Sequence, residues 1–256
     1  GRLLLLDHEK TIEDGHEGRS VKFSERYGKI LPSLRIGPDT GSMKPLKSNQ
    51  GVALRGITLV GTGFVVSHNH LSNFRSSAIS SEKIRYRTFY NGRDVMAAPR
   101  PSGVIDFFGL SEKDAKSLHP DAFQHVSDTV RPERAANNRK SYRDKWWVFA
   151  EPRSDWRLCS LGLRRYIATP MTAKHRVFVF LDEEVLPDQG LIPIGMDGAE
   201  AIAILTSKIH EVFFESNAGS LGVFVGNIRY NNSVCFDPFP FPDLTDPQRT
   251  HLRQLG

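Results

Sequence analysis

The order of the apolar runs constrains the fold of this chain more than any single motif. Short runs rich in β-branched and aromatic residues alternate irregularly with a few helical stretches, and no βαβ unit repeats. Such an order favours an α+β fold, with mixed, mostly antiparallel sheets and a few packed helices, over a doubly wound sheet. The strand-type runs lie at residues 52–60, 63–66, 83–89, 103–108, 165–168, 176–181 and 191–196.

Two segments carry local signals for the start or the break of a helix. Residues 111–130 open with a weak capping box at Ser111, and Pro120 should break this helix into two pieces. The last helix should begin with Asp246 as its N-cap and Pro247 at its first position.

Residues 197–214 give the clearest helix. Apolar residues recur there at helical spacing, which predicts one side that packs into a core. The residues expected on that side are Ile202, Leu205, Ile209, Val212 and Phe213.

Composition divides the chain into three parts. Residues 1–50 are rich in Gly, Pro, Ser and charge without a sustained period, which indicates a linker or a partly ordered N-terminal arm. Residues 51–215 form the predicted folded body, and residues 216–256 supply a loop and a Phe-Pro tail that should pack on it. The chain opens with Gly in a charged stretch, so we expect it to be a fragment of something longer.

Several protein classes do not fit this composition. The 2 cysteines are too few for a disulfide framework or a structural zinc site, so a reducing, cytoplasmic setting is the expectation. No apolar run approaches the roughly 20 residues of a membrane span, and no signal peptide is predicted.

The net charge of +5 comes from one segment. Residues 131–165 hold ten basic and four acidic residues, while the rest of the chain has 24 basic and 25 acidic ones. Eight of the ten are Arg, and all three Trp residues of the chain lie in the same segment. Cations, amides and flat rings in this mixture are typical of nucleic-acid surfaces. A tryptophan core under a solvated arginine face fits the segment equally well.

No catalytic centre is complete in the sequence. Residues 237–240 read Asp-Pro-Phe-Pro, a poor match to the loop with which amino-methyltransferases hold an amine. Phe236, Phe239 and Phe241 of this proline-rich stretch are expected to fill apolar pockets. Asp106 with residues 114–116 is a weak candidate for a metal-dependent nuclease. His68 and His70 would share one side of a strand as metal ligands, but a polar loop is the stronger interpretation.

Taken in order, a series of short strings resembles one known family. The resemblance is to the target-recognition region and C-terminal tail of MmeI-like fused adenine-specific DNA methyltransferases of type II restriction-modification systems. It covers residues 51–256. The strings are GTGFVV at 61–66, YNGRD at 90–94, VIDFFGL at 104–110, RPER at 131–134, NNR at 137–139, WWVF at 146–149, EPR at 151–153, RYIAT at 165–169, TSKIH at 206–210, RYNN at 229–232 and CFDPFPFP at 235–242.

The resemblance implies a DNA-recognition domain that lacks the catalytic centre of its parent enzyme. It implies sequence-specific recognition of double-stranded DNA by a domain of a site-specific adenine-N6 DNA methyltransferase, in bacterial restriction-modification or related phage defence. S-adenosylmethionine and the catalytic centre would belong to the methyltransferase domain of the parent chain, and an endonuclease is a possible fusion partner. This fragment itself would hold no catalytic, cofactor or metal site. Rival interpretations are a stand-alone nuclease or methyltransferase, or a protein-interaction module.

The expected DNA contacts come from charge and from position in the resemblance. The basic segment should grip phosphates, whereas the turn at 172–176 and the loop at 219–230 should carry sequence readout, with Asn227 and Arg229 as natural base readers. The full set of predicted DNA-binding residues is Arg131, Arg134, Asn138, Arg139, Lys140, Tyr142, Arg143, Lys174, His175, Arg176, Asn227, Arg229, Tyr230, Asn231, Asn91 and Arg93.

Overall fold

A computed structural model describes residues 2–11, 19–27, 43–79, 86–100, 102–217 and 228–256 of the chain. The strands are β1 (Arg2–Thr11), β2 (Arg19–Tyr27), β3 (Val65–Ser67), β4 (Tyr86–Tyr90), β5 (Ser102–Ile105), β6 (Arg165–Pro170), β7 (Thr172–Ala173), β8 (Val179–Asp182), β9 (Val185–Pro187), β10 (Leu191–Ile194) and β11 (Ile228–Arg229). The helices are α1 (His68–Ser77), α2 (Gly92–Met96), α3 (Glu112–Leu118), α4 (Pro120–Ala135), α5 (Lys140–Asp144), α6 (Ser154–Cys159), α7 (Ala199–Leu205), α8 (Lys208–Asn217) and α9 (Asp246–Leu255).

Two sheets form the frame of the folded body. One has the order β3-β5-β4-β9, in which only the β4–β9 pair is parallel, and the other has the antiparallel order β10-β6-β8. Helices and mostly antiparallel strands therefore combine as the irregular order of the sequence predicts, and the α+β class is confirmed. No helix within the described ranges is long and apolar enough to cross a membrane.

Three hydrophobic clusters fill the space around these sheets. The first packs the four-stranded sheet against α3 and α4 and includes Phe107, Val126 and Trp146. The second lies between the three-stranded sheet, α7, α8 and the C-terminal tail, and the third packs Trp156 of α6 against Tyr166 of β6.

Strands β1 and β2 pair antiparallel from Arg2↔Tyr27 to Thr11↔Arg19. The sequence predicts no strand in this part of the chain. Cross-strand backbone pairing defines the hairpin, and a search for period within one segment does not detect that pairing.

Most predicted elements are present, but residues 52–60 do not form a strand. Residues 52–56 bond to β10 and Gly195, as Leu54 N–H donates to Pro193 O at 2.9 Å, and the backbone then changes partner twice. Ile57 N–H donates to Pro187 O at 2.8 Å and Thr58 N–H to Glu151 O at 3.0 Å. The segment crosses from one sheet to the other, so no continuous ladder can form. Gly56 permits this crossing because a Cβ there would lie 2.0 Å from the backbone oxygen of Asp188.

The helix signals at 111–130 and at the C-terminus are confirmed apart from one cap. The Ser111 side chain accepts a hydrogen bond from Asp114 N–H at 3.1 Å, and α4 begins at Pro120 after the break. The last helix is capped by Thr245 in a capping box with Gln248, so Asp246 is the first helical residue and not the N-cap.

The predicted single helix at 197–214 divides into α7 and α8, and its expected core side is wrong at two positions of the second half. Ile202 and Leu205 are buried as predicted, but Ile209 is 77% exposed and Val212 is 52% exposed. The third, Phe213, is half-buried, and its ring centroid lies 5.2 Å from that of Phe239. The break at residues 206–207 rotates the helical face, so that His210 and Phe214 enter the core instead.

The Phe-Pro tail is fastened by a buried asparagine from before the predicted body. The Asn49 amide donates to the carbonyl oxygens of Phe236 at 3.3 Å, Asp237 at 3.2 Å and Phe239 at 2.7 Å. The side chains of Phe236 and Phe239 are buried, as expected for phenylalanines that fill apolar pockets.

Candidate nucleic-acid interface

The first charged surface lies at the C-terminal end of α4 and on α5. We call it the helical patch and define it by the exposed cations Arg131, Arg139, Lys140, Arg143 and Lys145. Residues 131–145 contain six basic and two acidic residues. The inner side of α4 buries apolar residues, so its polar end and the following turn face water. An ion pair to Asp144 occupies Lys140, whereas the guanidinium of Arg131 lies 5.3 Å from the centroid of the Trp146 ring.

Arg134 does not belong to this surface. Its side chain is 1% exposed and donates to Leu59 O at 2.5 Å, Val60 O at 2.6 Å and Lys145 O at 3.3 Å. Val60 has a φ of 47°, a strained conformation for a β-branched residue, which the guanidinium holds in place. Burial lowers the pKa of Arg134 to about 10. The prediction that Arg134 contacts DNA is therefore corrected, because its donors are already used inside the protein.

The aromatic residues of the basic segment are mainly core. Trp146 and Trp156 are buried, and the half-buried Trp147 donates its indole N–H to Leu110 O at 3.1 Å. The guanidinium of Arg139 lies 5.2 Å from the centroid of the half-buried Tyr142 ring. Arg139 also donates to the Tyr142 hydroxyl at 2.5 Å. The rings thus support cations and are not an open stacking surface for bases.

The cations beyond residue 145 include two with structural partners. Arg157 is paired with the buried Asp106 at 2.8 Å, and Arg153 is paired with Glu151. The carboxylate charge of Asp106, the weak nuclease candidate, is thus compensated by Arg157 inside the folded body. His68 and His70 lie in the first turn of α1, so the expected strand or loop at this position is wrong. No group of three or more His, Cys, Asp or Glu residues that could hold a metal ion occurs among the residues the structure describes.

The second surface is a short ribbon of two paired strands that packs on the second hydrophobic cluster. We call it the recognition ribbon and define it as residues 171–176 with residues 228–232. Strands β7 and β11 pair antiparallel with Arg229 opposite Thr172, and Tyr230 N–H donates to Met171 O at 2.8 Å. Lys174 and His175 are exposed and Arg229 is half-buried. Asn227 and most of the predicted reading loop lie outside the described residues.

A buried polar cluster supports the ribbon from below. The ring of Tyr230 is fully buried, and its hydroxyl lies 3.2 Å from Nε2 of the buried His210, whose Nδ1 lies 2.7 Å from Leu205 O. Because Nδ1 faces a carbonyl oxygen, it must carry the proton, so Nε2 accepts from the Tyr230 hydroxyl. Burial lowers the pKa of His210 to about 4, which keeps the ring neutral. Tyr230 is therefore a support of the ribbon, and its predicted DNA contact is corrected.

Arg176 ties the turn of the ribbon to this cluster. It donates to the Thr169 hydroxyl at 3.1 Å and to the backbone oxygen of Pro170, and its guanidinium lies 5.1 Å from the centroid of the Tyr230 ring. Burial lowers the pKa of Arg176. Much of its hydrogen-bonding capacity is directed inward, so the turn exposes Lys174 and His175 while Arg176 fixes their backbone.

Two of the asparagines predicted to bind DNA serve as caps. Asn91 Oδ1 accepts from Arg93 N–H at 2.9 Å and Asp94 N–H at 3.2 Å, and Asn231 Oδ1 accepts from the N–H and the hydroxyl of Ser233. A bidentate contact with adenine needs the oxygen and the nitrogen of an amide. Asn91 and Asn231 can therefore offer only their NH₂ groups while the caps persist.

The structure also brings in residues from elsewhere in the chain. A Cβ at Gly92 would lie 3.6 Å from Pro170 Cβ, which places the start of α2, with the exposed Arg93, beside the ribbon. Arg55 is exposed, and its guanidinium lies 3.8 Å from the Met171 sulfur. Sequence analysis misses Arg55, because it lies inside an apolar run and far from the ribbon along the chain.

The helical patch and the recognition ribbon rest on different hydrophobic clusters. Trp146 and Val130 beneath the patch belong to the first cluster, and Phe178, Phe214 and Tyr230 beneath the ribbon belong to the second. Of the predicted set, Arg131, Asn138, Arg139, Lys140, Arg143, Arg93, Lys174, His175 and Asn231 are exposed, and Tyr142, Arg229, Asn91 and Arg176 are half-buried.

Comparison with known proteins gives a structural relationship. No family profile matches the chain, and no curated protein matches it. Among solved structures, that of the type IIL restriction-modification enzyme MmeI in complex with DNA is similar, with a TM-score of 0.67 and 17% sequence identity. The match covers 92% of this chain and 31% of that chain, so this chain spans about a third of the length of that structure. The fold of this chain is thus one that a restriction-modification enzyme contains.

Proposed function

We propose that this chain is the DNA target-recognition domain of a larger, site-specific adenine-N6 DNA methyltransferase. The observation that carries the proposal is the exposed helical patch, on a fold shared with a restriction-modification enzyme that was solved bound to DNA. Exposed guanidiniums without acidic partners suit phosphate oxygens, which supply most of the affinity in protein–DNA complexes.

The two surfaces divide the work of binding in this proposal. The cations of the helical patch contact the DNA backbone and supply affinity without sequence preference. The exposed side chains of the recognition ribbon, Lys174 and His175, approach base edges and supply specificity. Asn227, which the sequence predicts as a base reader, lies outside the described residues. Paired β-strands are narrow enough to enter a major groove.

The chemistry belongs to the parent chain in this proposal. Methyl transfer from S-adenosylmethionine takes place on a methyltransferase domain elsewhere in that chain, and this domain positions the duplex for it. The setting that follows is the bacterial cytoplasm, in restriction-modification or a related phage defence.

Binding to duplex DNA tests the proposal directly. Fluorescence anisotropy with a labelled duplex, between about 50 and about 200 mM salt, should show affinity that falls steeply with salt because counterions are released. The variant Arg131→Gln with Arg139→Gln should bind roughly 50-fold more weakly at about 0.1 M salt, and the slope should fall by about 0.9 for each lost phosphate contact.

The matched control is Lys113→Gln with Lys116→Gln, which removes two exposed cations from α3, outside the patch. This control should bind within about twofold of the unchanged protein, since neither lysine belongs to the patch and salt screens exposed charges. Absence of binding at low salt, salt-insensitive binding, or equal losses in the two double variants would contradict the proposal.

A further inference from the structure

A shallow cleft of about 260 Å³ lies beside the recognition ribbon. We call it the Arg55 cleft. Its lining residues are Arg55, Met171, Ile192, Arg229, Tyr230, Asn231 and Asn232. Two of these are arginines from distant parts of the chain, and none is acidic.

The backbone fixes the position of Arg55 at this cleft. The N–H groups of Leu54 and Gly56 donate to Pro193 O at 2.9 Å and Leu191 O at 3.1 Å, so the segment is tied to β10 on both sides of Arg55. Leu54 packs on the third hydrophobic cluster, and in an extended segment the next side chain points the opposite way. Arg55 therefore projects outward, and among the described residues its guanidinium has only the Met171 sulfur within hydrogen-bond distance.

Arg229 reaches the same cleft from β11. Its backbone is held by the pairing with Thr172, and the buried Tyr230 follows it as an anchor. Asn232 forms the far wall and donates its amide to Ala53 O at 2.9 Å, which links the end of the ribbon to the segment that carries Arg55. A hydrogen bond thus joins the two chain segments that carry the arginines.

A second cleft, lined by other residues of the ribbon, differs from the Arg55 cleft in its charge. That cleft, of about 390 Å³, is lined by Lys174 and His175 but also by Glu211 and Glu215 of α8. Its carboxylates compensate its cations from within the protein. The Arg55 cleft has no acidic residue among its described lining residues, so an external anion suits its two guanidiniums.

We infer that Arg55 and Arg229 together bind a single phosphate group of the DNA backbone, next to the bases that the ribbon reads. A guanine edge is neutral and takes one arginine, whereas a phosphate is anionic and can accept hydrogen bonds from two guanidiniums at once. The NH₂ group of Asn231, whose oxygen is occupied by Ser233, supplies a further donor on the same wall. Arg229 therefore fixes the register of the ribbon on the duplex instead of reading a base.

This inference rests on the proposed function, and salt dependence tests it. Arg55→Gln and Arg229→Gln should each weaken duplex binding several-fold, and the double variant about tenfold at about 0.1 M salt. Because the two residues share one phosphate, the salt slope of the double variant should fall by about one and not by about two. The losses should be equal on unrelated DNA sequences. Lys116→Gln serves as the control and should change neither affinity nor slope.

Three results would overturn the inference. A fall of about two in slope would mean two separate phosphates, a loss confined to particular sequences would mean base readout, and an unchanged affinity would mean no contact. Thermal unfolding of each variant checks the fold, which should be unchanged because the Arg55 side chain is exposed.

A measurement without DNA separates this inference from the proposed function. Titration of inorganic phosphate, followed by NMR of the arginine Nε–Hε groups, should shift the signals of Arg55 and Arg229 together. Arg55→Gln should remove the response of Arg229. If phosphate shifts both signals but duplex DNA does not bind, the anion site stands and the proposed function fails. If phosphate shifts neither signal, the cleft is not an anion site.

Discussion

The helical patch and the recognition ribbon carry similar cations on different foundations. The patch is a helix end whose inner side is packed into the first hydrophobic cluster, so local chain geometry alone places its arginines in water. The ribbon consists of two paired strands of two residues each, too short to be stable by themselves. Its shape depends on the buried contacts of Tyr230, His210 and Arg176.

The difference teaches that an arginine count does not measure a binding surface. On α4, Arg131 is exposed while Arg134, one turn later on the same helix, is buried and holds a strained loop. In the ribbon, Arg176 supports the turn that presents Lys174. Arginines that bond to carbonyl, hydroxyl or carboxylate oxygens inside the protein are withdrawn from the surface, and only the others remain exposed.

The largest expected effect is the loss of stability on replacement of Arg134, the buried arginine of α4. Arg134→Met keeps the aliphatic packing but leaves three carbonyl oxygens without their donor, and we expect it to lower the free energy of unfolding by about 3 kcal/mol. Arg131→Met, the matched exposed variant, should change it by less than about 0.5 kcal/mol while it weakens DNA binding. Urea denaturation measures both. Similar stabilities of the two variants would refute the distinction between structural and DNA-facing arginines.

Acid should destabilise the ribbon before it affects the patch. The folded pKa of His210 is about 4, below the ordinary value of 6.5, so the unfolded chain binds a proton more readily in that interval. The stabilisation that the neutral His210 ring contributes to the folded state is fully present above about pH 6.5. It is lost as the pH falls towards 4, with an upper limit of about 3 kcal/mol. Hydrogen exchange, expressed as a protection factor for each amide, measures this effect. A change from pH 7 to about pH 5 should lower the protection of Tyr230 N–H more than that of the α4 amides.

The variant His210→Gln provides the comparison for this pH dependence. Glutamine can still bond to the Leu205 carbonyl and the Tyr230 hydroxyl, but it does not titrate. Its free energy of unfolding should therefore vary less between pH 7 and pH 4 than that of the unchanged protein. An identical pH profile for the two proteins would show that another group is responsible.

The two surfaces should differ in the kind of DNA binding that they support. Arg143→Gln in the patch should weaken binding to every duplex by a similar factor, roughly tenfold at low salt. Lys174→Gln in the ribbon should lower affinity for the preferred site by roughly tenfold and affect other sequences less. Selection of duplexes from a random pool, followed by anisotropy on preferred and unrelated sequences, measures both. A uniform loss for Lys174→Gln would place the ribbon on the backbone.

The smallest expected effect compares two asparagines. Asn231→Ala removes the cap at the end of the ribbon and should cost about 1 kcal/mol of unfolding free energy. Asn138→Ala, at an exposed position in the turn of the patch, should cost less than about 0.5 kcal/mol. Thermal unfolding distinguishes the two. Equal values would mean that the Asn231 cap adds nothing to the ribbon.

Much of the fold could be predicted from local sequence. The break before Pro120 follows from the chemistry of proline, and the strands at 165–168 and 191–196 follow from β-branched and aromatic residues. The crossing of residues 52–60 between two sheets could not be predicted, because its hydrogen-bond partners change from β10 to Pro187 and then to Glu151 along the segment. The reversed exposure of Ile209 and Phe214 was missed because a break at 206–207 shifts the helical phase.

The sequence by itself determined the α+β class, most element positions and the concentration of positive charge in residues 131–165. These depend on interactions between neighbouring residues, which composition and spacing record. Only the tertiary structure decided that Arg134, Tyr230 and two of the tryptophans belong to the interior, and that Arg55 and Arg229 line the same cleft. Burial and convergence depend on contacts between residues far apart in the chain, and no local pattern contains them.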